Sequence, residues 1–250
     1  MSASPELRAT WLGRVPYLDA WRLQEAVATR VRGGGAERLL LLEHDPVYTI
    51  GRRGTTDHLL VGPDVLREAG ASVYRVDRGG DITFHGPGQL VGYPVTRFAE
   101  GADLVAYVRA IEEALRDVLA GFGVDSHTER GKTGVWVTLE DGRAAKIGAI
   151  GVRVSRGVTT HGFALNVATD LAAFNRMVPC GFQHEVASLA RLGVTVDTRI
   201  VADLAASAVA ERLGRTLAHD TSIAPPNDGE IPTDAPVRNA VDLLAEPVPV

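Results

Sequence analysis

The chain has 250 residues, of which 45% are hydrophobic and 23% charged, and its formal net charge is −5. This is the composition of a globular protein of one large domain or two small ones, and the negative charge argues against a nucleic-acid partner. One cysteine rules out an intramolecular disulfide, the histidines lack metal-site spacing, and the sequence contains neither a signal-peptide pattern nor a membrane-length apolar run. We therefore expect a cytoplasmic protein that binds no metal, nucleic acid or membrane.

The N-terminal part alternates strand and helix patterns. Proline suits the first turn of a helix, so Pro16 predicts a helix to about Arg32, where three glycines end it. The apolar run at 38–44 has the length of a buried strand. Other patterns predict strands at 8–15, 73–77 and 90–95 and a short helix from Pro63 to Gly70.

The C-terminal part contains the clearest amphipathic helix, at 102–121. The dipeptide Asp141-Gly142 is a strong hairpin signal and predicts two strands within 134–154. A strand at 158–167 and a helix at about 198–217 complete an α+β fold, with helices packed on a largely antiparallel or mixed β-sheet. The predicted apolar side of the 102–121 helix consists of Leu104, Val105, Val108, Ile111, Leu115, Val118 and Leu119.

The composition changes near residue 221. Residues 221–250 hold six of the 13 prolines and no aromatic residue, so they bury too little apolar surface to offset the entropy of ordering. We predict a folded domain at 1–220 and a flexible Pro/Asp-rich tail at 221–250.

The densest cluster of glycines and polar side chains lies at 78–95, in the sequence RGGDITFHGPGQLVGYPV. Glycine allows close backbone approach and positive φ, while Arg78, Thr83, His85 and Gln89 supply directed hydrogen-bonding groups. A glycine- and proline-rich loop between two strands is the simpler interpretation, but loops seldom carry these four polar residue types so densely. The cluster therefore predicts a small-ligand site.

This cluster resembles the signature of the octanoyltransferases of lipoate biosynthesis. Three more stretches fit that family in the same order: LEHDPVYTIGRRG at 42–54, KIGAIGVRVSRGVTTHGFALNV at 146–167 and VPCGF at 178–182. The resemblance covers roughly residues 8 to 215. It implies a mixed sheet with flanking helices, similar to the catalytic domain of the biotin and lipoate protein ligases, which is class II synthetase-like.

The resemblance assigns the acyl-carrying nucleophile to Cys180 and its partner base to Lys146. A lone cysteine is more commonly a small buried hydrophobe, but Pro179 and Gly181 place this one in a turn. Lys132 and Lys146 are the two lysines of an arginine-rich chain, and an amine can lose its proton where a guanidinium cannot. A surface lysine on an edge strand is the alternative.

The resemblance also implies an acyl-binding site. Small residues there would leave a groove, and Phe84, Ile150 and Phe163 would form apolar walls for an eight-carbon chain. We interpret His85 as a wall of the pocket, although it is a second candidate base. The implied substrate-binding residues are Arg78, Gly79, Gly80, Asp81, Ile82, Thr83, Phe84, His85, Ala149, Ile150, Gly151, Gly162, Phe163 and Ala164.

The implied reaction moves an octanoyl group from octanoyl-acyl carrier protein to a lysine of lipoyl domains, with no cofactor and no ATP. The implied acceptors are the lipoyl domains of 2-oxoacid dehydrogenase complexes and the glycine cleavage H protein. Both partners are typically acidic, so arginines near the motifs suggest a positive rim. The arginines of this predicted rim are Arg52, Arg53, Arg75, Arg78, Arg153 and Arg156.

Three alternatives belong to other functional classes. An ATP-dependent lipoate or biotin protein ligase would consume ATP during lipoylation. A non-catalytic module would bind acyl carrier protein without a covalent adduct, and a cysteine hydrolase would release the acyl group to water.

Overall fold

The computed structural model describes residues 4–178 and 185–220. Its helices are α1 (Tyr17–Arg32), α2 (Pro63–Glu68), α3 (Leu104–Gly121) and α4 (Thr198–Arg212). Its strands are β1 (Glu6–Arg14), β2 (Glu37–Glu43), β3 (Val47–Ile50), β4 (Ser72–Arg75), β5 (Ile82–His85), β6 (Gln89–Val95), β7 (His127–Glu129), β8 (Lys132–Thr138), β9 (Ala144–Ser155), β10 (Val158–Asn166), β11 (Glu185–Val186) and β12 (Thr216–His219).

The main sheet is mixed, as predicted. Across the described residues its strand order is β12-β1-β2-β6-β10-β9-β8-β7, with β11 beside β9. Strand β1 runs parallel to β2 and β12, and β11 runs parallel to β9, whereas the other neighbours are antiparallel. Helices α3 and α4 cover one face, which we call the helix face, through residues such as Leu115 and Val209. Helix α1 packs on the opposite face through Val27 and Val31. We call this the lysine face, because Lys146 of β9 points to it.

The first turn of helix α3 is exposed, although its apolar residues predict that it is buried. Asp103 caps it by accepting a hydrogen bond from the Val105 N–H at 2.7 Å. Leu104 and Val105 are 40% and 64% exposed, so the predicted apolar side was wrong at these two positions. The core side of the helix begins further along, and its fully buried apolar residues include Ile111 and Leu115.

Helix α4 is shorter than predicted. It ends at Arg212, and Gly214 adopts a φ of +66° that a right-handed helix cannot continue. Residues 216–219 then form β12, which pairs in parallel with Glu6 to Ala9 of β1. The predicted helix to residue 217 was therefore wrong over its last turn.

A second, three-stranded sheet has the order β4-β3-β5. The predicted strand at 73–77 belongs to this sheet, and β5 lies inside the 78–95 cluster, ahead of the strand predicted at 90–95. Alternate residues of these strands, among them Ile82 and Phe84, form a separate apolar core with Leu66 of α2. Each strand has only four residues, so its stability depends on pairing with the neighbouring strand and on this shared core.

The predicted tail, 221–250, lies outside the described residues, and so does Cys180. In the part of the chain that is described, no helix is long and apolar enough to cross a membrane. The same ranges contain no cluster of three or more His, Cys, Asp or Glu side chains arranged to hold a metal ion.

Candidate active site

Lys146 lies near the start of β9, where a β-bulge decides the direction of its side chain. Opposite β9, Val135 pairs with Gly148 but the next residue, Trp136, pairs with Lys146, so β9 has one extra residue there. Ala145 and Ile147 both belong to the core under α3 and α4. Because strand side chains alternate between faces, Lys146 points to the lysine face.

Trp136 is the aromatic partner of Lys146. Residues directly opposite in an antiparallel pair share a face, and the Lys146 Nζ lies 4.7 Å from the centre of the Trp136 ring. Lys132 approaches the same ring at 5.2 Å. Trp136 is 2% exposed, so the ring is a rigid, largely dry surface for the Lys146 amine.

Gly134 brings a third group close to Lys146. Its φ is +128°, and a β-carbon there would lie 2.6 Å from the Gly148 carbonyl oxygen and 3.2 Å from Lys146 Cε. The Gly134 N–H donates to the fully buried carboxylate of Glu112 on α3 at 2.8 Å. Glycine is required here because the backbone of β8 passes directly beside the lysine side chain.

The bulge places four of the predicted acyl-binding residues on the face of Lys146. Ala164 belongs to the core under α1, and Ala149 and Gly151 lie opposite Ala164 and Gly162 in the β9–β10 pair. Without the extra residue, Lys146 and Ala149 would point to opposite faces, since they are three positions apart. All four residues are alanine or glycine, and at Gly151 the room left by the missing side chain is taken by the Gly79 carbonyl oxygen and Arg78 Cδ, 2.9 and 3.2 Å from where a β-carbon would be.

Ile150 and Phe163 are not part of this face. They lie opposite each other in the β9–β10 pair, and both pack in the core under α3 and α4. Phe163 also passes closely over Gly92, where a β-carbon would lie 2.1 Å from the end of the ring. Their side chains are therefore on the helix face of the main sheet, away from the Lys146 amine.

Arg78 lies between the two sheets and is 8% exposed. Its guanidinium donates to the Thr49 carbonyl at 2.6 Å, to the Thr49 hydroxyl at 2.9 Å and to the Gly79 carbonyl at 3.0 Å. On the other side, a β-carbon at Gly151 would lie 3.2 Å from Arg78 Cδ. The glycine at 151 thus makes room for an arginine side chain.

Gly79 and Gly80 attach this loop to both sheets. The Gly79 N–H donates to the Val152 carbonyl of β9 at 3.1 Å. The Gly80 carbonyl accepts from the Arg53 N–H at 3.1 Å and sits where a β-carbon at Gly51 would be. Gly80 adopts a φ of +89°. These glycines therefore allow two backbone segments to approach each other closely, whereas we expected close approach of the backbone to a ligand.

The rest of the 78–85 stretch divides between two environments. The Asp81 carboxylate accepts from the Ile82 N–H at 2.7 Å and lies 2.7 Å from His58 Nδ1. Ile82 and Phe84 pack in the core of the small sheet, where Phe84 meets the edge of Phe174 at 5.6 Å. Thr83 is half-buried and lies opposite Thr49, so it faces the space between the sheets.

His85 belongs to a buried polar chain that crosses between the sheets. Its Nε2 is 3.5 Å from the Thr49 hydroxyl, and its Nδ1 is 2.7 Å from Gln89 Oε1. Gln89 donates from its amide nitrogen to the Phe84 carbonyl and to Asn166 Oδ1, at 3.1 and 2.9 Å. Asn166 then donates to the Ala187 carbonyl.

The hydrogen bonds of Gln89 fix the tautomer of His85. Both described bonds of the Gln89 amide nitrogen are donated, so the amide oxygen accepts a hydrogen bond from the His85 Nδ1–H. Burial, followed by the nearby His44 and Arg78, holds the pKa of His85 well below its usual range, so the ring is neutral at pH 7. Both ring nitrogens therefore take part in the polar chain that joins the sheets.

His161 is the second histidine of the quoted motifs. It adopts a φ of +57°, and its backbone N–H donates to the Gln24 side-chain carbonyl at 2.7 Å. Its Nε2 lies 2.7 Å from Asp77, whose other oxygen is 2.5 Å from Arg153. Burial lowers the pKa of His161, while the Asp77 carboxylate opposes that shift. His161 therefore joins α1, β10 and the start of the 78–95 stretch.

The predicted nucleophile is flanked by two well-placed segments. Before Cys180, the Val178 N–H donates to the His58 carbonyl at 2.8 Å. After it, Val186 pairs with Lys146, and the Ala187 N–H donates to the Lys146 carbonyl at 2.9 Å. The chain thus returns to the candidate base within six residues of the cysteine.

Sequence analysis missed Thr49, Trp136 and Asn166, which hold Arg78, Lys146 and Gln89. The signal for Thr49 is a single hydroxyl within the apolar run VYTI, which predicts a buried polar contact. The predicted positive rim was wrong for Arg78, which is buried between the sheets. Arg52, Arg53 and Arg75 are exposed and remain candidates for it, whereas Arg153 pairs with Asp77 and Arg156 lies in the turn after β9, at the other end of that strand from Lys146.

Comparison with known proteins identifies the family of the chain. The sequence model of the lipoyl protein ligase A/B catalytic domain matches residues 16–210. An octanoyltransferase of Solibacter usitatus (strain Ellin6076) is 49% identical over 185 residues, 73% of this chain and 82% of that protein. Another, from Mycolicibacterium gilvum (strain PYR-GCK), is 45% identical over 227 residues, 90% and 92% of the two chains. The crystal structure of a lipoate-protein ligase A bound with ATP shares the fold with a TM-score of 0.70 and 20% identity, over 87% and 90% of the two chains.

The mixed sheet with its flanking helices is the fold of the lipoate protein ligases, so the predicted fold class is confirmed. The match over residues 16–210 places the chain among the lipoyl protein ligase A/B catalytic domains. Within that class, it belongs to the octanoyltransferase family.

Proposed function

We propose that this protein transfers an octanoyl group from octanoyl-acyl carrier protein to the ε-amine of a lysine on a lipoyl domain, through a thioester on Cys180. The observation that best supports this proposal is the position of Lys146. Its amine shares one face of the main sheet with four small residues of the acyl-binding stretches, and its backbone pairs with Val186, close in sequence to Cys180.

In the first half-reaction, Lys146 Nζ accepts the proton of the Cys180 thiol. The thiolate attacks the carbonyl carbon of the donor thioester and forms a tetrahedral intermediate. The bond from that carbon to the phosphopantetheine sulfur then breaks, and the leaving thiolate takes the proton back from Lys146. Backbone N–H groups at Gly181 or within 146–151 are the candidates to stabilise the oxyanion.

In the second half-reaction, the lysine amine of the lipoyl domain attacks the acyl-enzyme carbonyl. An amide bond forms, the bond to the Cys180 sulfur breaks, and the amine loses a proton that Lys146 relays to the thiolate. A thioester is converted into a more stable amide, so the transfer proceeds without ATP. The proposed acceptors are the lipoyl domains of 2-oxoacid dehydrogenase complexes and the glycine cleavage H protein, in the cytoplasm.

The proposed acyl site is the space between the sheets, next to Ala149, Gly151, Gly162 and Ala164. Burying each CH₂ contributes about 0.8 kcal/mol, so seven buried carbons contribute roughly 5–6 kcal/mol before the cost of ordering the chain. Arg78 contributes through its aliphatic stem, since its guanidinium is bonded to Thr49 and Gly79. We propose His85 as a wall of this space and not as a base, because both of its ring nitrogens have partners.

Intact-mass analysis after mixing the full chain with octanoyl-acyl carrier protein tests the covalent step. We expect one octanoyl adduct on the wild type, none on Cys180→Ser, and a much slower adduct on Lys146→Arg, which keeps the charge but cannot accept a proton. Lys132→Arg is the matched control, since Lys132 faces the same tryptophan ring. A full adduct on Cys180→Ser would exclude the proposed nucleophile.

The same mixture with a lipoyl domain distinguishes the alternatives. A ligase would require ATP and free octanoate, whereas the proposed transferase proceeds with octanoyl-acyl carrier protein alone. A hydrolase would release free octanoate at the same rate with or without the lipoyl domain. Amide formation on the lipoyl domain that depends on ATP would refute the proposed reaction.

A further inference from the structure

A cleft of about 510 Å³ lies at the far end of the main sheet from Lys146. Its walls combine the C-terminus of α1, the start of β2 and the turn between β9 and β10. Lys146 and Arg156 are ten residues apart along β9 and its turn, which corresponds to roughly 30 Å in an extended strand. The cleft is lined by Pro5, Val31, Arg32, Glu37, Arg97, Phe98, Ala99, Arg156, Gly157, Val158 and Arg215.

The lining is strongly positive. It contains four arginines and one carboxylate, that of Glu37, which is 2% exposed. Glu37 is already occupied: Oε2 accepts from Arg215 Nε at 3.0 Å, and Oε1 accepts from the Arg97 backbone N–H at 2.9 Å. The Glu37 carboxylate is therefore already bonded to Arg97 and Arg215.

Arg32 and Arg156 are left over from this pairing. The Nε of Arg32 is buried and has no hydrogen-bond acceptor among the described residues. Arg156 is exposed, and the described residues provide it with no ion pair. Arg32 lines the cleft and the described residues give it no ion pair either, so its guanidinium is available to an anion there.

The backbone at Arg156 gives a second, independent indication. Ser155 pairs with Val158, so Arg156 and Gly157 form a two-residue hairpin turn, with φ values of +49° and +71°. This is a type I′ turn, which favours asparagine followed by glycine and disfavours arginine. The other Arg-Gly hairpin turn, Arg130-Gly131, does not place its arginine at positive φ. A residue that breaks a local rule in this way is expected where the side chain has a use.

We propose that the cleft is a binding site for a small molecule that carries a phosphate group. Guanidinium groups match phosphate oxygens with two parallel hydrogen bonds, and Arg32 and Arg156 are the two that remain for this purpose. The volume is that of a small-ligand pocket, larger than one phosphate requires. The half-buried Phe98 forms the apolar wall against which an organic body would pack.

Calorimetric titration of the full chain with phenyl phosphate and with inorganic phosphate, at constant ionic strength, tests the proposal. We expect saturable binding of phenyl phosphate with a Kd of about 1 mM or tighter, and weaker binding of inorganic phosphate. Losing one charge-assisted hydrogen bond weakens binding by about 10- to 100-fold, so Arg32→Gln and Arg156→Asn should each lose affinity by that factor. Arg130→Gln, the matched control, should bind as the wild type does.

Arg156→Asn also separates binding from stability. Asparagine suits the type I′ turn, so this variant should have a higher Tm while it binds phenyl phosphate more weakly. Octanoyl transfer without added phosphate should be unchanged in all three variants. The proposal is overturned if Arg32→Gln and Arg156→Asn bind phenyl phosphate as tightly as the wild type. It is also overturned if sodium sulfate, at equal ionic strength, binds the cleft with the same affinity as phenyl phosphate.

Discussion

The indole ring of Trp136 lies directly opposite Lys146 in the β8–β9 pair, with the lysine Nζ 4.7 Å from the ring centre. An aromatic face attracts an amine most strongly once it is protonated, so Trp136, itself fixed by burial, stabilises the ammonium that Lys146 becomes on accepting the thiol proton. The proposed base is thus oriented by a neighbour that has no part in the chemistry. Trp136 is a positioning residue in this proposal.

Replacing Trp136 should reduce the transfer rate. A cation–π contact contributes about 0.5–2 kcal/mol, so Trp136→Leu should lower kcat by roughly 2- to 30-fold. Trp136→Phe keeps an aromatic face and should lose less. Single-turnover acyl transfer measures the effect, and urea unfolding of both variants corrects for stability. Equal rates for the Leu and Phe variants would show that the aromatic face is not what matters.

Gly134→Ala should impair both stability and transfer. The backbone at Gly134 has a φ of +128°, and the added carbon would lie 2.6 Å from the Gly148 carbonyl and 3.2 Å from Lys146 Cε. Such strain costs about 1–3 kcal/mol. The control is Gly131→Ala in the same hairpin, which has positive φ but no atom within 4 Å of the added carbon. If both variants lose the same activity, displacement of Lys146 is not the cause.

Thr49→Val should destabilise the contact between the two sheets. Valine keeps the shape but removes the hydroxyl that accepts from Arg78 and lies near His85. A buried donor left without its acceptor costs about 1–3 kcal/mol, which urea unfolding would measure. Thr49→Ser retains the hydroxyl and should cost less. A serine variant as unstable as the valine variant would assign the loss to packing instead of hydrogen bonding.

Acidification should destabilise the protein below pH 6.5. Burial lowers the pKa of His44 from 6.5 to about 4, while its ring bridges the Val15 carbonyl and the Tyr93 hydroxyl. The unfolded state then binds more protons than the folded state between those values, so stability falls as pH falls. From pH 6.5 to 5, His44 alone would cost about 2 kcal/mol.

Urea unfolding at several pH values measures this slope. His44→Gln should flatten it, because that variant lacks the buried imidazole that must be protonated on unfolding. Burial also lowers the pKa of His85 and His161, so part of the slope should persist in the His44 variant. A slope that is identical in the wild type and in His44→Gln would contradict the assignment to His44.

Reversing the charges of Arg52 and Arg53 should raise the KM for acyl carrier protein at low salt. Both residues are exposed and follow β3, next to the Arg78–Gly80 loop. The effect should shrink as salt screens it, as for surface charges in general. Arg199→Glu with Arg212→Glu on α4 gives the same change in net charge on the helix face. Equal KM increases in the two double variants would exclude a local rim.

The long elements of this fold are predictable because their apolar period is clear over many residues. The four-residue strands β3 and β5 are not, since VYTI and ITFH are too short for a period to stand out from flanking glycines and prolines. Their pairing depends on a core shared with Leu66 and Phe174, which are distant in sequence. Such tertiary stabilisation leaves no local signal.

The site residues show the same limit. Motif resemblance selects Lys146, Ala149, Ile150 and Gly151 as one stretch, but it cannot assign side chains to faces. Strict alternation would place Lys146 and Ile150 together and Ala149 opposite. The bulge at β9 reverses this, and only the register with Val135 and Trp136 reveals it.

That extra residue also constrains how the gene can change in length. A codon lost or gained between Lys146 and Ala149 would rotate the amine toward α3 while leaving every other motif intact. Insertions in the turn around Asp141-Gly142, by contrast, would leave the orientation of the amine unaffected. Chains descended from the same ancestor that keep this chemistry should therefore align without gaps from Trp136 to Gly151 except in that turn.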